Sequence, residues 1–333
     1  MVFVKQFFEN KRFLFYVIVL SLLSKLVVLY IMGPDRFPDS SFYVSTAKDI
    51  FNNSFIMPDR DITAPLLLYF YALFVPLTKF LDNSAFSLFD IMVSLITIFV
   101  IYKITYEIFE DEIIAKISAL IVGFYPYFIF YSISLLSETL YILLIYISFY
   151  YVILFYKTND LKYVVLFSVF FALDTLVRFA NFSMFPFFIF LFLFLAFKRK
   201  VNVQFYLKIV ILSILSFSVV MAIWWIRNYE VYNKFIPTTV GAAGVTFYAG
   251  NNPMNKSGGG IEGIDVDFSQ FTHIKDLEKK DAAMYEAKRS GRNTYAFYDK
   301  EMTDKVLQRV LLKTSPKKAL EENELLVYYQ AQI

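Results

Sequence analysis

Long apolar runs separated by short polar stretches divide most of this chain. Seven such runs, at 13–32, 88–106, 113–132, 139–156, 162–174, 182–197 and 206–226, contain few charged residues. A helix needs roughly 20 residues to cross a hydrocarbon core of about 30 Å. The pattern therefore predicts a bundle of about seven membrane-spanning helices. The fifth and sixth runs are short and meet at a polar break, 174–181. A further apolar run, 65–81, reads either as another span or as a helix lying at the interface.

Lysine and arginine placement selects between these readings, because cytoplasmic loops are enriched in both. If 65–81 does not cross, Lys5, Lys11, Arg12, Lys103, Lys116, Lys157, Lys162, Lys198, Arg199, Lys200 and Lys208 share the inner side. Of the short outer loops, only 174–181 then holds a cation, Arg178. If 65–81 crosses, the Lys198-Arg199-Lys200 cluster moves outside. The expectation is an all-α integral membrane protein, multi-pass in the plasma (inner) membrane, with a cytoplasmic N-terminus. Its first outer loop, 33–87, would carry the interfacial helix. The first run is long enough to span, which argues against a cleavable signal peptide.

This topology collects Asp35, Asp39, Asp59, Arg60, Asp61, Glu138, Asp174, Arg178 and Arg227 at the outer face. Composition narrows what they can do. Aromatic residues make up 20% of the chain, there is no cysteine, and His273 is the single histidine. A disulfide framework and a thiolate metal site are excluded, and histidine-ligated zinc or a Ser-His-Asp triad within the membrane part nearly so. A net charge of +3 is too small to suggest a nucleic-acid partner.

Asp39, just beyond the first span in Phe37-Pro38-Asp39-Ser40, reads as a general base, a ligand for a divalent cation, or a solvated loop aspartate. Glu138 is flanked by apolar residues. It reads as a site carboxylate facing a wet cavity or as an acidic residue opening a helix, where the dipole favours it. Arg178 and Arg227 have the planar donor fork that suits a lipid phosphate. Snorkelling is the other reading for both, with Trp224 and Trp225 as interface anchors beside Arg227. The Gly/Asn-rich stretch 241–263 lacks phosphate-loop spacing and reads as an outer loop or a linker.

Four segments together resemble the GT-C class of membrane glycosyltransferases, which includes protein O-mannosyltransferases and aminoarabinose transferases. They are Pro38-Asp39-Ser40 with Tyr43; Ala64-Pro65-Leu66-Leu67-Leu68-Tyr69; Ser137-Glu138-Thr139-Leu140; and Trp225-Ile226-Arg227-Asn228-Tyr229 running on to Gly250-Asn251-Asn252-Pro253. The resemblance covers roughly residues 1–280. It implies transfer of a sugar from a polyprenyl-phosphate donor at the outer face. Asp39 would act as base or metal contact and Glu138 as the second acidic position. Arg178, Arg227, Tyr43 and Asn251 would bind substrate or its phosphate. Two positions depart from the pattern: Ser87-Leu88-Phe89-Asp90 stands where many relatives carry an arginine, and Pro65 where many have a double proline.

From about residue 280 the composition changes. Asp281 to Tyr295 is similar to the end of GGDEF diguanylate cyclase domains. Residues 301–320 resemble the connecting helix into an EAL phosphodiesterase domain, and Leu325-Leu326-Val327-Tyr328-Tyr329-Gln330 resembles that domain's first strand. The expected organisation is a transmembrane domain at 1–230, an outer loop at 231–279 and a short α+β fragment at 280–333. In this reading a truncated glycosyltransferase is joined to a signalling fragment. The alternatives are a membrane-anchored cyclic di-GMP signalling protein and a transporter of lipid-linked sugars.

Overall fold

Prolines and polar caps set the helix boundaries. The computed structural model describes residues 12–34, 37–57, 64–199 and 201–238, all within the first of two units into which the chain divides, Met1–Thr238. The described residues are helical and include no strand. The helices are α1 (Phe13–Met32), α2 (Pro38–Asn52), α3 (Leu66–Phe74), α4 (Thr78–Leu81), α5 (Ser84–Phe109), α6 (Glu112–Phe124), α7 (Pro126–Tyr131), α8 (Glu138–Thr158), α9 (Lys162–Thr175), α10 (Phe185–Phe197) and α11 (Val203–Tyr232). Short 3₁₀ turns at Val75–Leu77 and Phe179–Met184 join α3 to α4 and lead into α10.

Among the described residues, five segments are long and apolar enough to cross a membrane: α1, α5, α8, Phe179–Phe197 and α11. The expected run 113–132 is interrupted. Tyr125 is extended (φ −66°, ψ 122°) and Pro126 opens α7. Proline disfavours helical backbone in the residue before it, so one apolar run folds as two helices. At 14 residues, α9 is about 21 Å long. The apolar segment Leu66–Leu81 is also short and turns at Pro76.

The polar side chains point inward. Along α1, Phe13, Val17, Ser21, Lys25 and Leu29 form the buried stripe, while Phe15, Leu20, Leu23 and Val27 face outward. Along α11, Ser213 and Asn228 are buried and Leu207, Ile211, Leu215, Val219 and Ile223 form an exposed line at i, i+4 spacing. This inverts the amphipathic pattern of a water-soluble bundle and fits a hydrocarbon surround. Lys25 donates to Ser21 Oγ at 2.6 Å, and Ser21 donates to the Gly123 carbonyl at 2.7 Å. A Cβ on Gly123 would come within 3.2 Å of Val17, so glycine permits the close approach of α1 and α6.

Two larger and two smaller apolar clusters hold the described bundle. Phe155, Phe167, Phe171, Phe188 and Phe192 interlock α8, α9 and α10, and Phe185 stacks on Phe217 of α11 at 3.9 Å. Beneath the candidate site, Ala47, Leu67, Tyr71, Phe86, Phe89, Leu135, Leu140, Leu143, Leu144 and Val177 join α2, α3, α5 and α8 to the segment after α9.

The two ends of the bundle differ. At one, tight turns are capped by Asp111 and Asn202, and Lys157 at the end of α8 pairs with Glu107 and Glu110 at 3.0 and 3.1 Å. At the other, α8 begins with Glu138. The α6–α7 segment therefore returns the chain from the Lys157 end to the Glu138 end, and α9 does so again.

Candidate functional site

The backbone before Glu138 is fixed by hydroxyl groups from three helices. Ser40 of α2 donates to the Ser134 carbonyl at 2.7 Å, Ser87 of α5 to Ile133 at 3.2 Å, and Thr139 of α8 to Tyr131 at 3.0 Å. The turn from 132 to 137 is buried, and Leu135 within it sits in the left-handed region at φ 52°. That conformation costs a side chain such as leucine about 1–2 kcal/mol and persists only where surrounding contacts impose it. The Leu135 side chain is fully buried in the core beneath the site, which imposes it here.

Arg178 is delivered by the end of α9. The Val177 and Arg178 backbone N–H groups both donate to the Asp174 carbonyl, at 3.0 and 2.9 Å. Arg178 itself is extended (φ −142°, ψ 104°), which swings its side chain away from the helix axis. The first N–H of α3, at Leu66, lacks a partner within its own helix and donates instead to the Leu176 carbonyl at 3.0 Å. This bond ties the start of α3 to the break after α9.

Glu138 and Arg178 meet. Arg178 Nη1 donates to Glu138 Oε1 at 2.9 Å, and the guanidinium lies 5.6 Å from the Tyr141 ring centroid. The pair is partly open, with Arg178 44% and Glu138 31% exposed.

Two carboxylates are fully buried at the same end. Tyr71 of α3 donates to Asp90 Oδ2 at 2.6 Å, and Asn181 donates to Asp174 Oδ2 at 2.5 Å. The remaining oxygen of each, Oδ1, has no hydrogen-bond partner among the described residues. Sequence reading did not single out Asp90 as a site residue. The available signal was a charge set between Phe89 and Ile91 inside an apolar run, where an acid is costly and marks function by default.

The other predicted residues are placed as follows. Asp39 is exposed on the first turn of α2, next to Ser40, which is anchored on Ser134. Tyr43, one turn further along, is half-buried and packs against both larger clusters. Arg227 lies over the rings of Trp224 and Tyr232, at 5.1 and 5.7 Å, and donates to Asn228 Oδ1 at 3.2 Å. Burial pushes the Tyr69 phenol of α3 up from its ordinary pKa, while the positive charge of Arg227 pulls it back. Asn251 and the expected loop 241–263, the expected fragment 280–333, and Asp35, Asp59, Arg60 and Asp61 lie outside the described residues. Among the described residues no group of three or more metal-binding side chains forms.

The chain turns back on itself after α11. Trp224 Nε1 donates to the Thr238 carbonyl at 2.6 Å and Trp225 Nε1 to Pro237 at 3.0 Å. Asn228 Nδ2 donates to Ile236 at 2.9 Å and to Thr238 at 3.3 Å. Phe179, directly after Arg178, packs on Trp224 at 5.6 Å, so this clamp adjoins the Arg178 segment.

An uncharacterized signaling protein of Caulobacter vibrioides is 42% identical over 54 residues, which is 16% of this chain and 7% of that protein. The family described as dolichyl-phosphate-mannose-protein mannosyltransferase matches residues 62–225. That segment contains Tyr71, Asp90, Glu138, Asp174 and Arg178, with Asp39 and Tyr43 before it and Arg227 just after it. The described part is thus a helical bundle with segments long and apolar enough to cross a membrane, and its residues 62–225 are similar to protein mannosyltransferases.

Proposed function

We propose that the protein transfers a sugar from a polyprenyl-phosphate carrier to an acceptor at the outer face of the plasma membrane. The carrying observation is the Glu138–Arg178 contact, a carboxylate and a guanidinium joined at 2.9 Å in a partly open position at one end of an apolar bundle. A phosphate leaving group needs cationic stabilisation, and an acceptor hydroxyl needs a base. Arg178 supplies the first, with Arg227, Tyr43 and Asn251 as further substrate contacts. Asp39, exposed on α2, is the base, and Glu138 is the second acidic group. Asp39 would also be the protein's contact to a divalent cation, if the reaction uses one.

The return of α6–α7 and of α9 between the two ends supports seven crossings, with Leu66–Leu81 at the interface. That topology puts Glu138 and Arg178 outside and the Lys157 cluster inside, with the N-terminus cytoplasmic. A reporter fused after Ile333 should then read external.

Asp39→Asn, assayed in membranes supplied with polyprenyl-phosphate sugars, should lower transfer about 10²- to 10⁴-fold, as loss of a general base does, while membrane expression is retained. Unchanged transfer would remove Asp39 from the reaction.

A second reading has its own observation, the match to the Caulobacter signaling protein. The segment 280–333 resembles the end of a GGDEF domain and the start of an EAL domain. The cyclic di-GMP reading rests on that resemblance, and the relative's name adds signalling alone. A cytoplasmic Ile333 reporter would favour this reading.

A further inference from the structure

The Glu138–Arg178 pair has a form that suits exchange. It rests on one nitrogen and one oxygen, and the other guanidinium N–H groups have no acceptor among the described residues. Arg178 does not depend on Glu138 for its position. Its backbone is held by Asp174, and the ring of Tyr141, one turn along α8, lies under its guanidinium. Glu138 does not depend on Arg178 either, since the first turn of α8 favours a negative charge there. Both groups are partly exposed, so solvent weakens their attraction. A phosphate can take two parallel N–H bonds from a guanidinium, against the single bond made by Glu138.

From this we infer that Glu138 is an exchangeable ligand of Arg178, occupying the guanidinium until the phosphate of a lipid carrier displaces it. The inference rests on the lipid-phosphate donor reading above. The exchange couples two events: donor binding frees a carboxylate at the place where the acceptor must be engaged. Before donor arrives, Arg178 neutralises Glu138; afterwards the carboxylate is available on the site side of α8.

The test is binding of farnesyl phosphate, and separately of inorganic phosphate, to the full chain in lipid nanodiscs, for wild type, E138Q, R178A and the double variant. Thermal melts of each variant check folding. Removing the competing charge should tighten farnesyl phosphate binding about two- to fivefold in E138Q, the range set by an exposed ion pair. The gain should vanish in the double variant relative to R178A, and inorganic phosphate should bind more weakly than farnesyl phosphate throughout while showing a similar fold gain. If wild type binds farnesyl phosphate and E138Q binds it equally or more weakly, the exchange is wrong while the donor reading stands. If no variant binds it, the donor reading fails and the exchange with it. Inorganic phosphate binding as tightly as farnesyl phosphate would overturn the lipid carrier as the occupant.

Discussion

Tyr71 donates its hydroxyl to the fully buried carboxylate of Asp90 at 2.6 Å, linking α3 to the long apolar helix α5. The other Asp90 oxygen has no hydrogen-bond partner among the described residues, so this bond carries most of the compensation for burying the group. Tyr71→Phe keeps the ring and its packing on Phe86 and Phe89 but removes the bond. A loss of about 1–3 kcal/mol in unfolding stability is expected, the cost of an unsatisfied buried acceptor. Asp90→Asn, whose amide oxygen still accepts from Tyr71, should lose less. Thermal unfolding in detergent decides between them. Equal losses would mean that packing, not the hydrogen bond, holds α3 to α5.

Ser40 and Ser87 both anchor the turn before Glu138, on adjacent carbonyls. Each Ser→Ala change should lower stability by about 1 kcal/mol, as for an ordinary buried hydrogen bond. Because both act on one strained turn, the double variant should depart from the sum of the singles by more than about 0.5 kcal/mol. A double-mutant cycle on melting temperatures reads this directly, and strict additivity would show that the two hydroxyls act independently.

Asn228 grips the returning segment at two carbonyls and is itself buried. Asn228→Ala should release Ile236 and Thr238 while Trp224 still holds the latter. Hydrogen exchange at 234–238 should rise, with exchange in the core of α11 unchanged. A rise spread along all of α11 would instead mean that Asn228 stabilises the helix, not the clamp.

Much of the bundle could be read from the chain before its structure. The run 13–32 coincides with α1, and the runs 139–156 and 206–226 lie within α8 and α11. These boundaries follow from hydropathy and capping, which depend on neighbouring residues only. The break in 113–132 was also written locally, in Pro126, but summed hydropathy across the run conceals one residue's backbone preference. Asp90 was hidden in the same way, since one carboxylate hardly lowers the mean of a 26-residue apolar helix.

By itself the sequence determined that the chain enters a membrane, where most helices start and stop, and that Glu138 and Arg178 share one end. Apolar run length and charge asymmetry are one-dimensional quantities, and the bilayer reads them as such. Which groups touch was decided only by the tertiary structure. Glu138 and Arg178 lie 40 residues apart and Ser40 and Ser134 lie 94 apart. No local pattern records such a separation. The pairings arise because packing Phe and Leu side chains between helices fixes their rotation, and that rotation chooses which polar group each buried carbonyl or carboxylate meets.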